Sequence, residues 1–373
     1  MNVALVYDRV NKYGGAERVL EALHKLWPDA PLYTAVYDKE SAPWASSFDV
    51  RPSFLQAIPF AKSHHEPLAP LAPLAFEQFN FDAYDVVISV TSAEAKGILT
   101  KPKTLHICYC LTPTRYLWSG FATYEKLPGL GALSQISAFG LRLLAPTLRR
   151  WDKIAASRPD HYIAISNRVA RRIKKYYGKS STVIYPPVSV QKFRLAKDAQ
   201  NKSEYYLVVS RLVGYKRLDI IVQAFRELRL PLVIIGDGKQ KAELQNNAAP
   251  TTRFVDRHLT DSELANYYQN CRAFIHTADE DFGISMVEAQ ACGKPVIAYR
   301  ASAASEIVVP GKTGILFERQ SVASLKAAVT ASRRRRFDPA ACRTNALRFS
   351  SQAFKQAMMK SIEDLYEQHI KTL

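Results

Sequence analysis

The feature that most constrains this chain is that it runs twice through the same alternation of β-rich apolar segments and helical stretches. In the first half VALVYD (3–8), LYTAVY (32–37), DVVISV (85–90), TLHICYC (104–110) and HYIAIS (161–166) read as strands, and AERVLEALHKLW (16–27) reads as a helix. Apolar runs joined by helices are what a mostly parallel sheet covered on both faces requires. After SNRVARRIKKYYG (166–178) comes TVIYPPV, where Pro186-Pro187 can continue neither a helix nor a central strand. A second series follows: YYLVVS (205–210), a helix from Leu218, PLVIIGDG (231–238), a helix from Lys239, CRAFIH (271–276), ISMVEAQAC (284–292), KPVIAY (294–299) and GILF (314–317).

A length of 373 residues at 47% hydrophobic content is too much for one ordinary core and suits two α/β domains. The expected fold class is therefore α/β, with two Rossmann-like doubly wound domains facing an interdomain cleft. Boundaries are expected at 1–186, 187–350 and 351–373, the last a helix crossing back to the first domain.

The chain holds 51 lysines and arginines against 34 aspartates and glutamates, a net charge of +17. Such self-repulsion is better tolerated beside anions, whether lipid headgroups, diphosphates or nucleic acid. No RRM, zinc finger or similar module is recognisable, so a nucleic-acid partner is not expected. MNVALVYDRV opens as a strand without a basic n-region, apolar h-region or cleavage site, and no segment reaches roughly 18 uncharged apolar residues. A cytoplasmic protein is expected, whose membrane contact is peripheral.

Five cysteines, an odd number lying mostly in apolar runs, argue against disulfides. Cys108-x-Cys110 near His106 could suggest a metal, but a closed zinc site usually gathers ligands from paired motifs, and no metal is expected. The Leu-, Ala- and Gly-rich stretch between Trp118 and Pro159 has no place as a strand; it reads either as helix packed over the sheet or as a surface for an acceptor.

The most specific segment is DEDFGISMVEAQACGKPVIAY (279–299): an acidic loop, a glycine, a helix with small residues and a buried strand. Glu280 falls in the entry loop and Glu288 a turn or more inside the helix, so both can approach a ligand at the helix start. The unpaired N–H groups of a first helical turn and the dipole there favour an anion such as a diphosphate. VVSRLVGYKRLD supplies cations for it, Arg211 and Lys216, in the loop after the second domain's first strand. Ligands of open α/β sheets bind at the carboxyl ends of strands, where both loops are expected to emerge.

On these motifs the chain resembles the family-4 retaining glycosyltransferases of GT-B fold, along nearly its whole length. The resemblance implies an acceptor-side first domain and a nucleotide-sugar-binding second domain. It matches Glu280 and Glu288 to the family's Glu-x7-Glu pair, the first touching the donor sugar hydroxyls and the second holding the ribose. It matches Arg211 and Lys216 to the cations that neutralise the diphosphate, and Gly14-Gly15 to a glycine pair in the loop after the first strand. Gly236, in the turn of PLVIIGDG, and Gly283, Ile284 and Ser285 at the helix start complete the donor side. Thr112, Arg115 and Glu306 are further candidates, although RASAASE lacks the glycines common before the family's corresponding glutamate. Leu111 stands in CLTPTRY where the family usually has histidine, a change that would suit a less polar sugar edge.

More locally, GGAERV, FNFDAYDVVISVTSAEAKGIL and HICYCLTPTRYLW are similar to bacterial mannosyltransferases of O-antigen and exopolysaccharide assembly. That implies GDP-mannose as donor and a lipid-linked or saccharide acceptor. The expected reaction is same-face substitution with retention, needing no cofactor and no metal because two cations and a helix dipole replace it. Arg168, Arg171, Arg172, Lys174 and Lys175 form a basic helix suited to an anionic membrane surface, here the inner face of the cell membrane. Residues 254–259 are expected to offer backbone groups to the base. The competing readings are a nucleotide-sugar epimerase of the same fold and a non-catalytic cleft-binding protein.

Overall fold

The computed structural model describes residues 1–62, 66–121, 134–196 and 205–373. It divides into two units, residues 1–186 with 355–373 and residues 187–354. Among the described residues the first unit holds seven strands: β1 (Val3–Tyr7), β2 (Leu32–Thr34), β3 (Val50–Pro52), β4 (Val86–Thr91), β5 (Leu105–Cys110), β6 (His161–Ala164) and β7 (Thr182–Val183). Their order in the sheet is β3-β2-β1-β4-β5-β6-β7, and every pairing is parallel. The second unit holds β8 (Tyr205–Val209), β9 (Leu232–Ile235), β10 (Thr252–Val255), β11 (Cys271–His276), β12 (Val296–Tyr299) and β13 (Gly314–Phe317). These six lie in the order β10-β9-β8-β11-β12-β13, again all parallel. The fold class read from the sequence, two Rossmann-like units of α/β type, is what the chain adopts.

Central strands are buried along their length because helices cover both faces: β1, β4 and β5 have no exposed residue. In the second unit Val208, Ile234 and Ile275 from neighbouring strands meet Ile221, Phe225 and Val329 from the helices Leu218–Leu228 and Val322–Arg333. Chain reversals around β1/β4 and around β8/β11 create one topological switch point in each unit, the position where such sheets bind ligands.

Helix ends follow local chemistry. Thr260 and Glu263 form a reciprocal capping box at the start of Asp261–Asn270. Ser166 caps Asn167–Tyr177, which Gly178 ends in the left-handed region at φ 71°. From the stretch between Trp118 and Pro159, residues 122–133 lie outside the described residues, and the helix Ser134–Ala155 follows. Its Trp151 is packed so closely on Gly97 that a Cβ there would come within 2.5 Å of the indole. The same helix leaves Leu143, Leu144 and Ile154 exposed.

Candidate active site

The site is best built from the switch point of the second unit. The loop leaving β8 carries Arg211 and Lys216, and its path is set by backbone contacts: the Leu212 N–H donates to the Asp237 carbonyl at 2.8 Å, and the Gln240 N–H donates to the Leu212 carbonyl at 3.0 Å. Only glycine fits opposite. Gly236 has φ 140°, and a Cβ there would lie 1.9 Å from the Ser210 carbonyl oxygen. The loop closes in a short 3-10 turn, Gly214–Lys216, followed by Arg217 at φ 55°. The carbonyls of Lys216 and Arg217 both accept from the Thr277 hydroxyl, at 2.9 and 3.1 Å. Thr277 follows β11, so one hydroxyl ties the two loops of the switch point together.

Across that tie Lys216 forms an ion pair with Glu280 Oε1, both side chains being largely buried. His276 Nε2 lies 3.4 Å from Glu280 Oε2. Burial, helped by the charge of Lys216, pushes the His276 pKa down to about 3, so this imidazole is neutral at ordinary pH. Arg211 donates to the Tyr215 hydroxyl at 2.5 Å, and Lys216 lies 5.2 Å from the centre of the same ring. The Tyr215 ring thus spaces the two cations. Gly283 has φ 136° and starts the helix Ile284–Ala291, whose N-terminus has no side-chain cap. An uncapped helix start beside two cations is an electropositive corner.

Glu288 sits inside that helix, only 4% exposed, and accepts from the Tyr268 hydroxyl at 3.0 Å. Burial and the neighbouring Glu288 raise the Tyr268 pKa, so the phenol keeps its proton and remains a donor. Glu306 lies on the short helix Ala304–Ile307, half-buried; the preceding Ala303 N–H donates to the Glu280 carbonyl at 3.0 Å. Residues 254 and 255 end β10, so only 256–259 of the segment expected to offer backbone groups are loop.

The structure therefore gathers Lys216, Glu280, Arg211, Gly283, Ile284 and Ser285 at one switch point, with Gly236 supporting the loop beneath. Two further residues of this cluster are absent from the sequence-based set: His276 and Tyr215. The signal for the first was its position at the end of CRAFIH, four residues before Glu280; for the second, its place one residue before Lys216.

In the first unit Gly14 precedes the helix Gly15–His24 in extended backbone at φ −172°, so its smallness rather than its dihedral matters: a Cβ would lie 3.3 Å from Glu17 Oε2. Thr112 and Arg115 follow β5; Thr112 is buried, and its hydroxyl accepts from Arg172 at 3.4 Å. This segment is braced by Asp152, fully buried, which accepts from Lys96 at 2.6 Å, Thr114 at 2.6 Å, Trp118 at 2.7 Å and Tyr177 at 2.9 Å. Burial works to lower the Lys96 pKa, but the Asp152 charge and hydrogen bond raise it on balance, so the pair is ionic. Cys108 and Cys110 are buried thiols in β5, and His106 between the sheet faces meets the Ser89 hydroxyl at 2.9 Å.

Residues 189–347 match the family model for glycosyl transferases group 1. An uncharacterized glycosyltransferase of Methanocaldococcus jannaschii is 29% identical over 185 residues, covering 48% of this chain and 51% of the relative. A GDP-mannose-dependent alpha-mannosyltransferase of Mycolicibacterium smegmatis is 29% identical over 220 residues, 56% of this chain and 58% of the relative. The chain thus spans about half the length of the curated relatives it matches. Among solved structures, Anabaena HepE, crystallised with UDP and glucose, superposes with a TM-score of 0.70 at 17% identity over 97% of this chain and 99% of its own. Residues 189–347, which hold every residue of the second-unit site, match the group 1 glycosyltransferase domain, and the two Rossmann-like units in series have the GT-B fold of solved glycosyltransferases.

Proposed function

We propose that this protein is a retaining glycosyltransferase that moves a sugar, mannose from GDP-mannose in the first instance, onto a lipid-linked or polysaccharide acceptor. The observation that carries the reading is the convergence of Arg211, Lys216 and Glu280 beside the uncapped start of Ile284–Ala291 at one switch point. Two cations and a helix N-terminus suit the β-phosphate of a leaving nucleoside diphosphate. Glu280, with Lys216 turned to that phosphate, is free to accept from a sugar hydroxyl, and Glu288 with Tyr268 forms the inner wall where a ribose would rest.

Double displacement requires a carboxylate directly under the anomeric carbon. Glu280 is instead engaged by Lys216 and faces His276, so same-face substitution is the better fit: the departing phosphate, stabilised by Arg211, Lys216 and the helix start, takes the acceptor hydroxyl's proton. Each such charge-assisted contact contributes about 2–4 kcal/mol in the transition state. The cations supply the charge that a metal would otherwise bring, so the reaction is proposed to run without one.

The donor assignment is supported by the mannosyltransferase names among the relatives, including an O-antigen chain mannosyltransferase C of Escherichia coli that is 27% identical over 175 residues. A peripheral seat on the inner membrane face is supported by exposed Arg171, Lys174 and Lys175 and by Leu143, Leu144 and Ile154 beside Arg142, Arg150 and Lys153, all in the first unit. No described helix is long and apolar enough to cross a membrane.

The test is release of nucleoside diphosphate from GDP-mannose, UDP-glucose and UDP-N-acetylglucosamine, with wild type beside an R211A/K216A double variant. Slow release from one donor that the double variant abolishes is the expected result. Release of an isomeric nucleotide sugar instead, or no binding of any donor, overturns the reading.

A further inference from the structure

The buried imidazole of His276 has no task in the reading above. Its side chain is 7% exposed, and its Nε2 has no hydrogen-bond partner although Glu280 Oε2 stands 3.4 Å away. A buried ring nitrogen left unpartnered is costly, and such an atom aimed at a site residue calls for a ligand-bound state in which it is used. The ring cannot swing far. His276 ends β11, paired to β12 through Ala298. The next residue is clamped from both sides, its hydroxyl by the loop after β8 and its carbonyl by Gln320 at 2.8 Å.

Glu280 stands between two donors. Lys216 holds its Oε1 while His276 faces its Oε2, so the two donors address different oxygens of one carboxylate. A diphosphate at the helix start would compete for Lys216, because it offers more negative charge than one carboxylate. Glu280 would then lose its ion pair and be left beside a new anion, which repels it. Something must keep it in place if it is to meet a sugar hydroxyl.

We propose that His276 is a positioning residue that takes over Glu280 when a donor phosphate draws Lys216 away: its Nε2–H closes the 3.4 Å gap to Oε2 and leaves Oε1 aimed at the donor sugar. A neutral imidazole suits this role, since it donates a hydrogen bond without adding a third charge to the corner. The inference rests on the donor-site reading and specifies which part of the donor His276 serves. Nucleoside diphosphate binding depends on Arg211 and Lys216 and is independent of His276; the additional contribution of the sugar depends on His276 through Glu280.

The experiment compares GDP with GDP-mannose, and UDP with UDP-glucose, by titration calorimetry and donor-hydrolysis kinetics, for wild type, H276L and H276Q, each checked for folding by circular dichroism. H276L is expected to bind the nucleoside diphosphate as wild type does, yet to lose about tenfold or more in kcat/KM for the sugar nucleotide, the scale of one hydrogen bond to a charged group. H276Q, which keeps an N–H donor, is expected to recover most of that loss. Equal loss of nucleoside diphosphate and sugar nucleotide binding in H276L overturns the inference in favour of a purely structural histidine. So does wild-type kinetics in H276L, or a folded H276Q no better than H276L. Failure of wild type to bind any nucleoside diphosphate removes the donor-site reading and this inference with it.

Discussion

The two units share a parallel sheet and a switch point, yet they treat charge in opposite ways. At the first, β1/β4, the carboxylates are satisfied from within: Asp8 accepts from Thr91 at 2.6 Å, from the Ser92 amide at 2.7 Å and from the Ala95 amide at 2.9 Å, and Glu94 takes Arg9 at 2.7 Å and Tyr116 at 2.6 Å. At the second, β8/β11, Arg211 leans on a phenol and Lys216 shares one carboxylate with a neutral histidine. The same topology thus yields a corner braced around carboxylates in one unit and a corner built around two cations in the other. Topology marks where a ligand can sit; the local charge balance decides whether the place is available.

If this contrast is right, the largest effect belongs to the braced unit and concerns stability alone. Lys96→Met strands Asp152 in the interior without its counter-charge and is expected to cost about 3–5 kcal/mol, seen as a lower denaturant midpoint. Nucleoside diphosphate affinity measured below that midpoint should not move. A loss of affinity as large as the loss of stability would break the comparison.

Next come Arg211→Ala and Lys216→Ala, expected to remove about 2–4 kcal/mol each from donor kcat/KM. The melting temperature of Arg211→Ala should stay within about 2 °C of wild type, as for other surface changes, whereas Lys216→Ala also leaves the largely buried Glu280 without its ion pair and should lower it by more. The opposite pattern, stability lost and catalysis kept, would make the second switch point a structural knot like the first.

A smaller effect is shared by both units. His106 and His276 each have a pKa pushed down to about 3 by burial, below the ordinary histidine value of 6.5. The unfolded chain therefore binds more protons than the folded one between those values, and stability falls as pH drops through about 6.5 toward 3. Above 6.5 this contribution is fully present. Melting curves at pH 8 and pH 5 check it: His106→Gln and His276→Gln should each shrink the drop between the two, and a drop unchanged in both variants would refute it.

The smallest effect concerns the basic helix of the first unit. Ser166→Ala removes the hydroxyl that accepts from the Val169 amide at 3.1 Å and should cost about 1 kcal/mol in helix Asn167–Tyr177. A vesicle-binding assay should show no change, because the exposed cations of that helix remain.

Central strands were legible because they are long and apolar: VVISVT and LHICYC announce burial on both faces. The edges were not. β3 is Val-Arg-Pro, partly exposed, and β7 is only Thr-Val; strands that short carry no periodicity to read. At the site, Arg211, Lys216 and Glu280 could be picked out because charges in loops after apolar runs stand out. His276 and Tyr215 could not, since a histidine closing a strand and a tyrosine in a loop become informative only when their neighbours in space are known. Glu288 was legible as a position, while its Tyr268 partner, 20 residues earlier in the chain, needed the fold.

The close packing of Gly236 under Ser210 has a consequence for how such a site can diversify. Because main-chain atoms and a glycine fix the path of the loop after β8, its side chains are passengers on a preset track. Positions 213 and 215 can be exchanged to suit a different ligand while the track, with Arg211 and Lys216 on it, stays where it is. A directed library confined to those positions, with Gly236 and Gly238 left alone, would explore new ligands without redesigning the scaffold.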